Sequence, residues 1–538
     1  MIPFCSLCVY WFLNSVACGH DTNTRYAPTP RNMDMNSELW MLWATIAVVL
    51  IYYLSTPRRD PCAARQPPGP RPLPLIGNLL DLRHGHLHHT LAHLARVHGP
   101  VMRLKLGITT AVIISSRDAA REAFTRHDRR LAARAVPDAT RALGSSERSM
   151  VWLPSSDPQW KTQRGLVTSH LFTPRGLAAV RGIRERKVRE LVGYFRERAG
   201  REVDVGQGVY GGVLNLVSSA VSSVDMVDAG AESATGLRTT VEDLAELITK
   251  PNVSDLFPFL RPLDLQGRRR FAAEHLGKIF SILGGIVDRR VEETRTSSSN
   301  NSRQNNDFLD TLIDLMSTGK MARDNVTAIL FDVFTAGSDT VAVTVEWAMA
   351  ELLRDPTIMA KACAEIKGVL GYNETVGEKD AAGLPYLQAV VKEAIRLHPV
   401  APIMLPHKAV EEGVEVGGYA VPKGATVIFN VWAIMRDPAI WDRPDEFVPE
   451  RWFLDGAADM DFRGKDFGFI PFGSGRRMCP GLPMAERVVP HILASLLHAF
   501  EWRLPDGVSA EQLDVREKFT TANVMAVPLK AVPVAISQ

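Results

Sequence analysis

The stretch FIPFGSGRRMCPGLP, residues 469–483, constrains this chain more than any other, because it sets a lone cysteine among glycines and arginines. Cys479 has no CxxC companion, and its nearest cysteine in sequence is Cys363. A disulfide or zinc knuckle would bring further cysteines or histidines at short spacing. Four of the six cysteines (Cys5, Cys8, Cys18 and Cys62) precede residue 63, so the body is no disulfide scaffold and reads as belonging to a reducing compartment. Gly473, Gly475 and Gly481 permit close backbone approach. Such a loop can wrap a planar cofactor and aim N–H groups at a sulfur, with Arg476 and Arg477 at hand to favour thiolate. A single axial thiolate on haem iron meets these demands, since haem takes one protein ligand on that side. A buried structural cysteine beside a glycine turn is the plainer alternative.

Upstream, Leu39 to Leu54 is sixteen residues without a charge. As a helix it spans ~24 Å, enough for a thin bilayer. Trp40, Trp43, Tyr52 and Tyr53 lie toward its ends, as interfacial rings do. Asp34 and Glu38 precede it while Arg58, Arg59 and Arg65 follow, which predicts a cytoplasmic body. The chain therefore divides into 1–36, a leader or gene-model extension lacking the basic start of a signal peptide; 37–56, a transmembrane anchor helix; 57–75, a basic, proline-rich hinge; and 76–538, one globular domain. Five prolines between Pro67 and Leu75 predict a stiff extended lead-in. Net charge is +2, from 62 basic and 60 acidic residues, which gives no bulk argument for nucleic acid.

Within the body, "VMRLKLG" and "AVIIS" read as strands, 296–306 as a polar surface loop, 307–399 as mostly helical, and "VEVGGYAVPKGATVIFN" as short strands and turns. The fold class is mainly α with a small β region, α+β. Glu393 and Arg396 lie i,i+3 on one helical face, and Arg451 in "PERW" could complete a buried cluster with them. "FTAGSDTV", 334–341, puts Gly337, Ser338 and Thr340 in mid-helix, where they are poor formers. Hydroxyls there bond backwards and bend a helix, and bulges collect at functional sites. The plainer reading is a kinked core helix. Trp160 and Arg164 share a face at i,i+4, and His407 sits in "LPHKA".

The pattern Phe472-x-x-Gly475-x-Arg477-x-Cys479-x-Gly481 resembles the haem-binding signature of the cytochrome P450 family at every fixed position. The other motifs follow in family order from Pro67 to near the end of the chain. The resemblance implies a single P450-type haem-thiolate domain holding heme b, with Cys479 as the proximal iron ligand. It implies that Arg477, Trp160, Arg164 and His407 hold the propionates, and that Glu393, Arg396 and Arg451 form a structural lock beneath the haem. Asp339 and Thr340 would relay protons in the oxygen-activation element Ala336-Gly337-x-Asp339-Thr340. Pro480 has no N–H, so one potential donor to the sulfur is missing, which should favour O–O cleavage. By family position the substrate would meet Phe334, Ala336, Val400, Ala401, Ile403, Met404, Val524 and Met525.

No GxGxxG follows a strand, so the chain offers no dinucleotide site of its own. The resemblance implies electrons from NADPH-cytochrome P450 reductase, with Lys161, Arg463, Lys465 and Arg476 as a candidate docking face. The run "GLPMAERVVPHILASLLHAFEWRLP" is similar to the plant branch containing geraniol hydroxylases, and most like grass members that hydroxylate labdane-related diterpenes. The activity so implied is O2-dependent hydroxylation of a terpenoid at the endoplasmic reticulum membrane. Alternatives are a thiolate-haem isomerase or dehydratase without O2, a hydroxylase of monoterpenoids or other specialised metabolites, and a non-catalytic haem-binding protein.

Overall fold

Two antiparallel strands, Val101–Leu106 and Thr109–Ile114, are apolar on both faces, and their register explains why. Val101 pairs with Ile114, and these two with Val112 face the main core. Met102 pairs with Ile113 and Leu104 with Ala111, and these form a smaller cluster with Ile428. Leu87, Leu91 and Leu94 of helix Leu87–His98, spaced i, i+4, i+7, close that cluster. The computed structural model describes Trp40, Trp43, Ala47 and residues 65–536, except 84, 228–231, 298–306, 372–374, 455 and 521.

The sheet continues through Thr426–Phe429, parallel to Thr109–Ile114, then His407–Lys408 and Ala133–Arg134. Its last pair sets Arg134 directly opposite His407. The proline-rich lead-in lies along the first strand, with the Arg103 N–H donating to the Pro68 carbonyl at 2.7 Å. Asn78 then clasps Lys105 through backbone and side chain.

Helix Arg323–Arg354 is the buried spine of the molecule. Helix Val205–Ser222 packs along it, and a Cβ on Gly206 would stand 2.5 Å from a Glu346 carboxylate oxygen, so only glycine allows that approach. Helices Pro385–Leu397 and Leu482–Ala499 flank the spine. Among the described residues, Arg323–Arg354 is the helix long and apolar enough to cross a membrane, and 61% of its most apolar window is buried inside the protein.

The α+β expectation holds, and the strands expected from 101 to 114 and 414 to 429 are present. The anchor at 37–56 lies outside the described residues save for Trp40, Trp43 and Ala47, which are helical. The segment 1–36 and the start of the hinge lie wholly outside them. The polar tract 296–306 begins within the last turn of helix Arg268–Ser297, and its remainder is not described.

Candidate functional site

The cysteine loop is held by its own backbone: the Gly473 N–H donates to the Ile470 carbonyl at 3.0 Å, and the Cys479 N–H to the Phe472 carbonyl at 2.9 Å. Gly475 has φ +66°, and a Cβ there would stand 2.2 Å from Asp128 Oδ1, the oxygen that receives the Arg476 N–H at 3.0 Å. Gly481, at φ −79°, is under no such demand; a Cβ would meet Cys479 Sγ at an ordinary 3.8 Å. The Cys479 side chain is accessible although protein surrounds it. Burial pushes its thiol up, while the N–H groups of Gly481 and Leu482 and the charge of Arg164 pull it down. Pro480 offers no N–H, and the donors the sulfur does receive are those of Gly481 and Leu482 at the start of helix Leu482–Ala499, whose dipole also favours thiolate.

Around the loop, three guanidiniums and an imidazole converge. Arg477 donates to the carbonyls of Ala132 (2.8 Å), Met150 (3.2 Å) and Leu153. Arg164 donates to the Met478 carbonyl and Arg134 to that of Leu405. Trp160 lies between two of them, its ring 4.9 Å from the Arg477 guanidinium and 5.9 Å from that of Arg164. Its indole N–H donates to the Met150 carbonyl at 3.1 Å. Burial, then the charges of Arg477 and Arg164, bring Arg134 down to about 9. Burial and Arg164 bring Arg477 down to about 10. His407 is lowered to about 3 by burial and then Arg134. Among the described residues none of these arginines has a carboxylate partner, and Arg134 Nε is buried without an acceptor.

A cationic pocket of this kind is chemically incomplete without at least two negative charges. One accessible sulfur with N–H donors, beside cations for two carboxylates, is a donor set that fits an iron porphyrin with its propionates. Arg134 is the residue that sequence reasoning missed. It stands in "LAARAVPD" with no motif around it, and its place follows from cross-strand pairing with His407.

The spine helix is α-helical from end to end, without the expected bulge. Thr340 Oγ1 donates to the Ala336 carbonyl at 2.7 Å, and these two residues, one turn apart, are accessible on an otherwise largely buried stretch. Asp339 is raised to about 6 by burial, with Arg238 opposing and Glu242 adding. Arg238 and Glu242 pair at 2.9 Å, i,i+4 on one helix, and the charge of both reaches Asp339. About two turns before Thr340, buried Asp332 accepts from Ser149 Oγ (2.8 Å) and the Met150 N–H (2.7 Å). The same Met150 carbonyl serves Trp160 and Arg477, so the spine is tied to the cationic pocket.

Glu393, Arg396 and Arg451 meet as expected. Both Glu393 oxygens accept from Arg396 at 2.9 Å, Oε1 also from Arg451 Nε (2.9 Å) and the Val448 N–H (3.0 Å), and Oε2 from the Trp452 indole (3.0 Å). The candidate substrate residues divide. The Asn523 N–H donates to the Val400 carbonyl at 2.8 Å, which sets Val524 and Met525 beside Val400 and Ala401. Met404 approaches the cysteine loop, its Sδ 3.8 Å from where a Gly473 Cβ would be. Phe334 and Met525 are buried in the main core, whereas Ile403 packs with the smaller cluster on the sheet.

The chain matches the cytochrome P450 family over residues 67–526. It is 65% identical to Cytochrome P450 76M5 of Oryza sativa subsp. japonica over 93% of this chain and 99% of that protein. It is 61% identical, over the same shares, to Oryzalexin D synthase and to Ent-cassadiene C11-alpha-hydroxylase 1 from the same plant. A thiol and a cationic pocket arranged for haem, together with a family match over most of the length, establish that the chain belongs to the cytochrome P450 family.

Proposed function

We propose that this monooxygenase hydroxylates a terpenoid, of labdane-related diterpene type, at the endoplasmic reticulum membrane with electrons from NADPH-cytochrome P450 reductase. Support for the substrate comes from relatives at 61% identity named for oryzalexin D and for C11-hydroxylation of ent-cassadiene, and from the apolar character of the candidate pocket residues. The observation that carries the site reading is the accessible Cys479 sulfur beside three guanidiniums that have no carboxylate partner among the described residues. Cys479 would hold the haem iron; Arg134, Arg164, Arg477 and His407 would hold the propionates, and Trp160 packs against two of the arginines. When bound, heme b supplies the chemistry that reduces O2 with two electrons and inserts one oxygen atom into substrate, the other leaving as water.

The chain's own residues set the proton supply. The Thr340 hydroxyl rests on the Ala336 carbonyl and must rotate off it to donate elsewhere. Thr340→Ala should keep NADPH consumption but divert most of it to hydrogen peroxide, read as product formed per NADPH. Asp339 holds its proton up to about 6, above the ordinary 3.8. The donating form is therefore present below that pH and lost above it, so coupling should fall as pH rises through about 6 and flatten in Asp339→Asn. The linked stability has the same sense: between 3.8 and about 6 the folded state binds more protons than the unfolded, so stability falls as pH rises. His407 Nδ1 donates to the Leu131 carbonyl at 2.8 Å, so Nε2 donates to a propionate only when the ring is protonated.

On the candidate docking face, Lys161 and Lys465 are exposed, while Arg476 pairs with Asp128 at 3.1 Å and Arg463 with Asp461 at 3.2 Å. Steering rests on the two lysines, and reduction should slow with salt. The deciding experiment is co-expression with a plant reductase and a panel of terpene synthases. Oxygenated diterpenes by mass spectrometry support the reading; products from monoterpenes alone, or from none, overturn it.

A further inference from the structure

A second cluster of ligand-type side chains lies where helix Leu87–His98 meets the hairpin of Glu517–Phe519 and Asn523–Met525, and nothing in the haem chemistry uses it. His88 Nε2 is 2.9 Å from Glu517 Oε2, and His89 Nε2 is 3.3 Å from the same oxygen. One ligand atom from each residue lies within 4.8 Å of the others. His88 is fully buried, the Glu517 side chain is 9% exposed, and His89 is 42% exposed. The His88 Nδ1 is buried without a partner. His89 and Glu517 open onto a cleft of about 640 Å³, lined also by His86, His398 and Trp432.

Two imidazoles and one carboxylate with an open fourth position are a zinc ligand set. Zinc bonds of about 2.0–2.1 Å in tetrahedral array place ligand atoms roughly 3.3 Å apart. The two histidine–carboxylate separations, 2.9 and 3.3 Å, lie at or below that edge and all three ligand atoms fall within 4.8 Å of one another, so a cation needs side-chain adjustment rather than a rebuilt backbone. Glu517 is a ready ligand: although burial acts against it, the His398, His88 and His89 imidazoles beside it hold its carboxyl far below the ordinary range, so it stays ionised. Burial also keeps His88 below the usual imidazole value, in the neutral state a metal requires.

We propose that His88, His89 and Glu517 form a Zn2+ site whose fourth position faces the cleft and takes water. The ion would join helix Leu87–His98 to strand Glu517–Phe519 through metal bonds in place of hydrogen bonds. Because Met525 pairs with Glu517 and Val524 with Lys518, that link would stiffen the hairpin carrying two of the candidate substrate residues. Any effect on substrate rests on the proposed function, whereas zinc binding itself does not.

The test uses the haem-loaded, tag-free chain, stripped with chelator and titrated with Zn2+ against a chromophoric competitor in the absence of substrate. One ion per chain is expected, with binding weakened at least about tenfold in His89→Gln and unchanged in His93→Gln, an exposed histidine on the same helix. A normal CO-difference spectrum in both variants verifies the fold. Wild-type uptake no greater than that of His89→Gln, or equal weakening in His93→Gln, overturns the site. Amide exchange over 517–525 should slow with zinc in the wild type and not in His89→Gln. Unchanged exchange with zinc bound overturns the stiffening.

Discussion

Cys479→Ser should fold, yet its reduced, carbon-monoxide-treated form should lack the red-shifted Soret band and its hydroxylation should fall to background. The reasoning lies in the protonation state. Burial leaves the thiol raised on balance, while the N–H groups of Gly481 and Leu482 and the Arg164 guanidinium work toward the sulfur anion that iron would complete. They cannot do the same for a serine hydroxyl, whose proton is far less acidic. The substitution leaves the loop untouched, since its shape depends on Gly475 and on backbone bonds rather than on the sulfur. Arg134, Arg164 and Arg477 also remain, so some haem should still be retained. That separation makes the test sharp: haem present with a thiolate-type spectrum in Cys479→Ser would remove Cys479 from the iron, and retained turnover would remove it from the mechanism.

The second large effect concerns stability. Glu393→Ala should yield little or no haem-loaded protein, because it strands two buried guanidiniums. Glu393 and Arg396 are wholly buried and Arg451 nearly so. Removing one partner of such a network costs about 3–5 kcal/mol, against a total stability of about 5–15 kcal/mol. Replacing all three by apolar residues offers no rescue here, unlike in simpler buried pairs. Arg396 and Arg451 also satisfy the carbonyls of Met435, Asp442, Arg443, Pro444 and Glu446, which would be left bare. Denaturant unfolding and haem content after expression check this. Normal haem loading in Glu393→Ala would show the cluster to be dispensable.

The legible part of this molecule was whatever the chain writes locally. The glycines of the cysteine loop, the i,i+3 spacing of Glu393 and Arg396, and the short apolar strands near 101–114 are all properties of short stretches. The missed residues act through distant pairing. Arg134 reaches the cationic pocket because the sheet sets it against His407, and Arg238 acts on Asp339 from a helix distant in sequence. Neither has a spacing that announces it. Pro480 is legible as a missing donor, whereas the donors that remain, at Gly481 and Leu482, depend on where the following helix starts. The bulge was over-read: a threonine bonded back to its own helix at 2.7 Å can be absorbed without breaking the helical ladder.

Three mutually repelling guanidiniums without carboxylates have a cost that falls on the newly made chain. Until a dianionic porphyrin arrives, that repulsion works against closing the sheet edge at Arg134 onto the loop at Arg477. Occupancy at a thousandfold excess over the dissociation constant returns about 4 kcal/mol, comparable with a large share of what holds a domain together. In a cell short of porphyrin the polypeptide would lack that stabilisation, so less of it should accumulate.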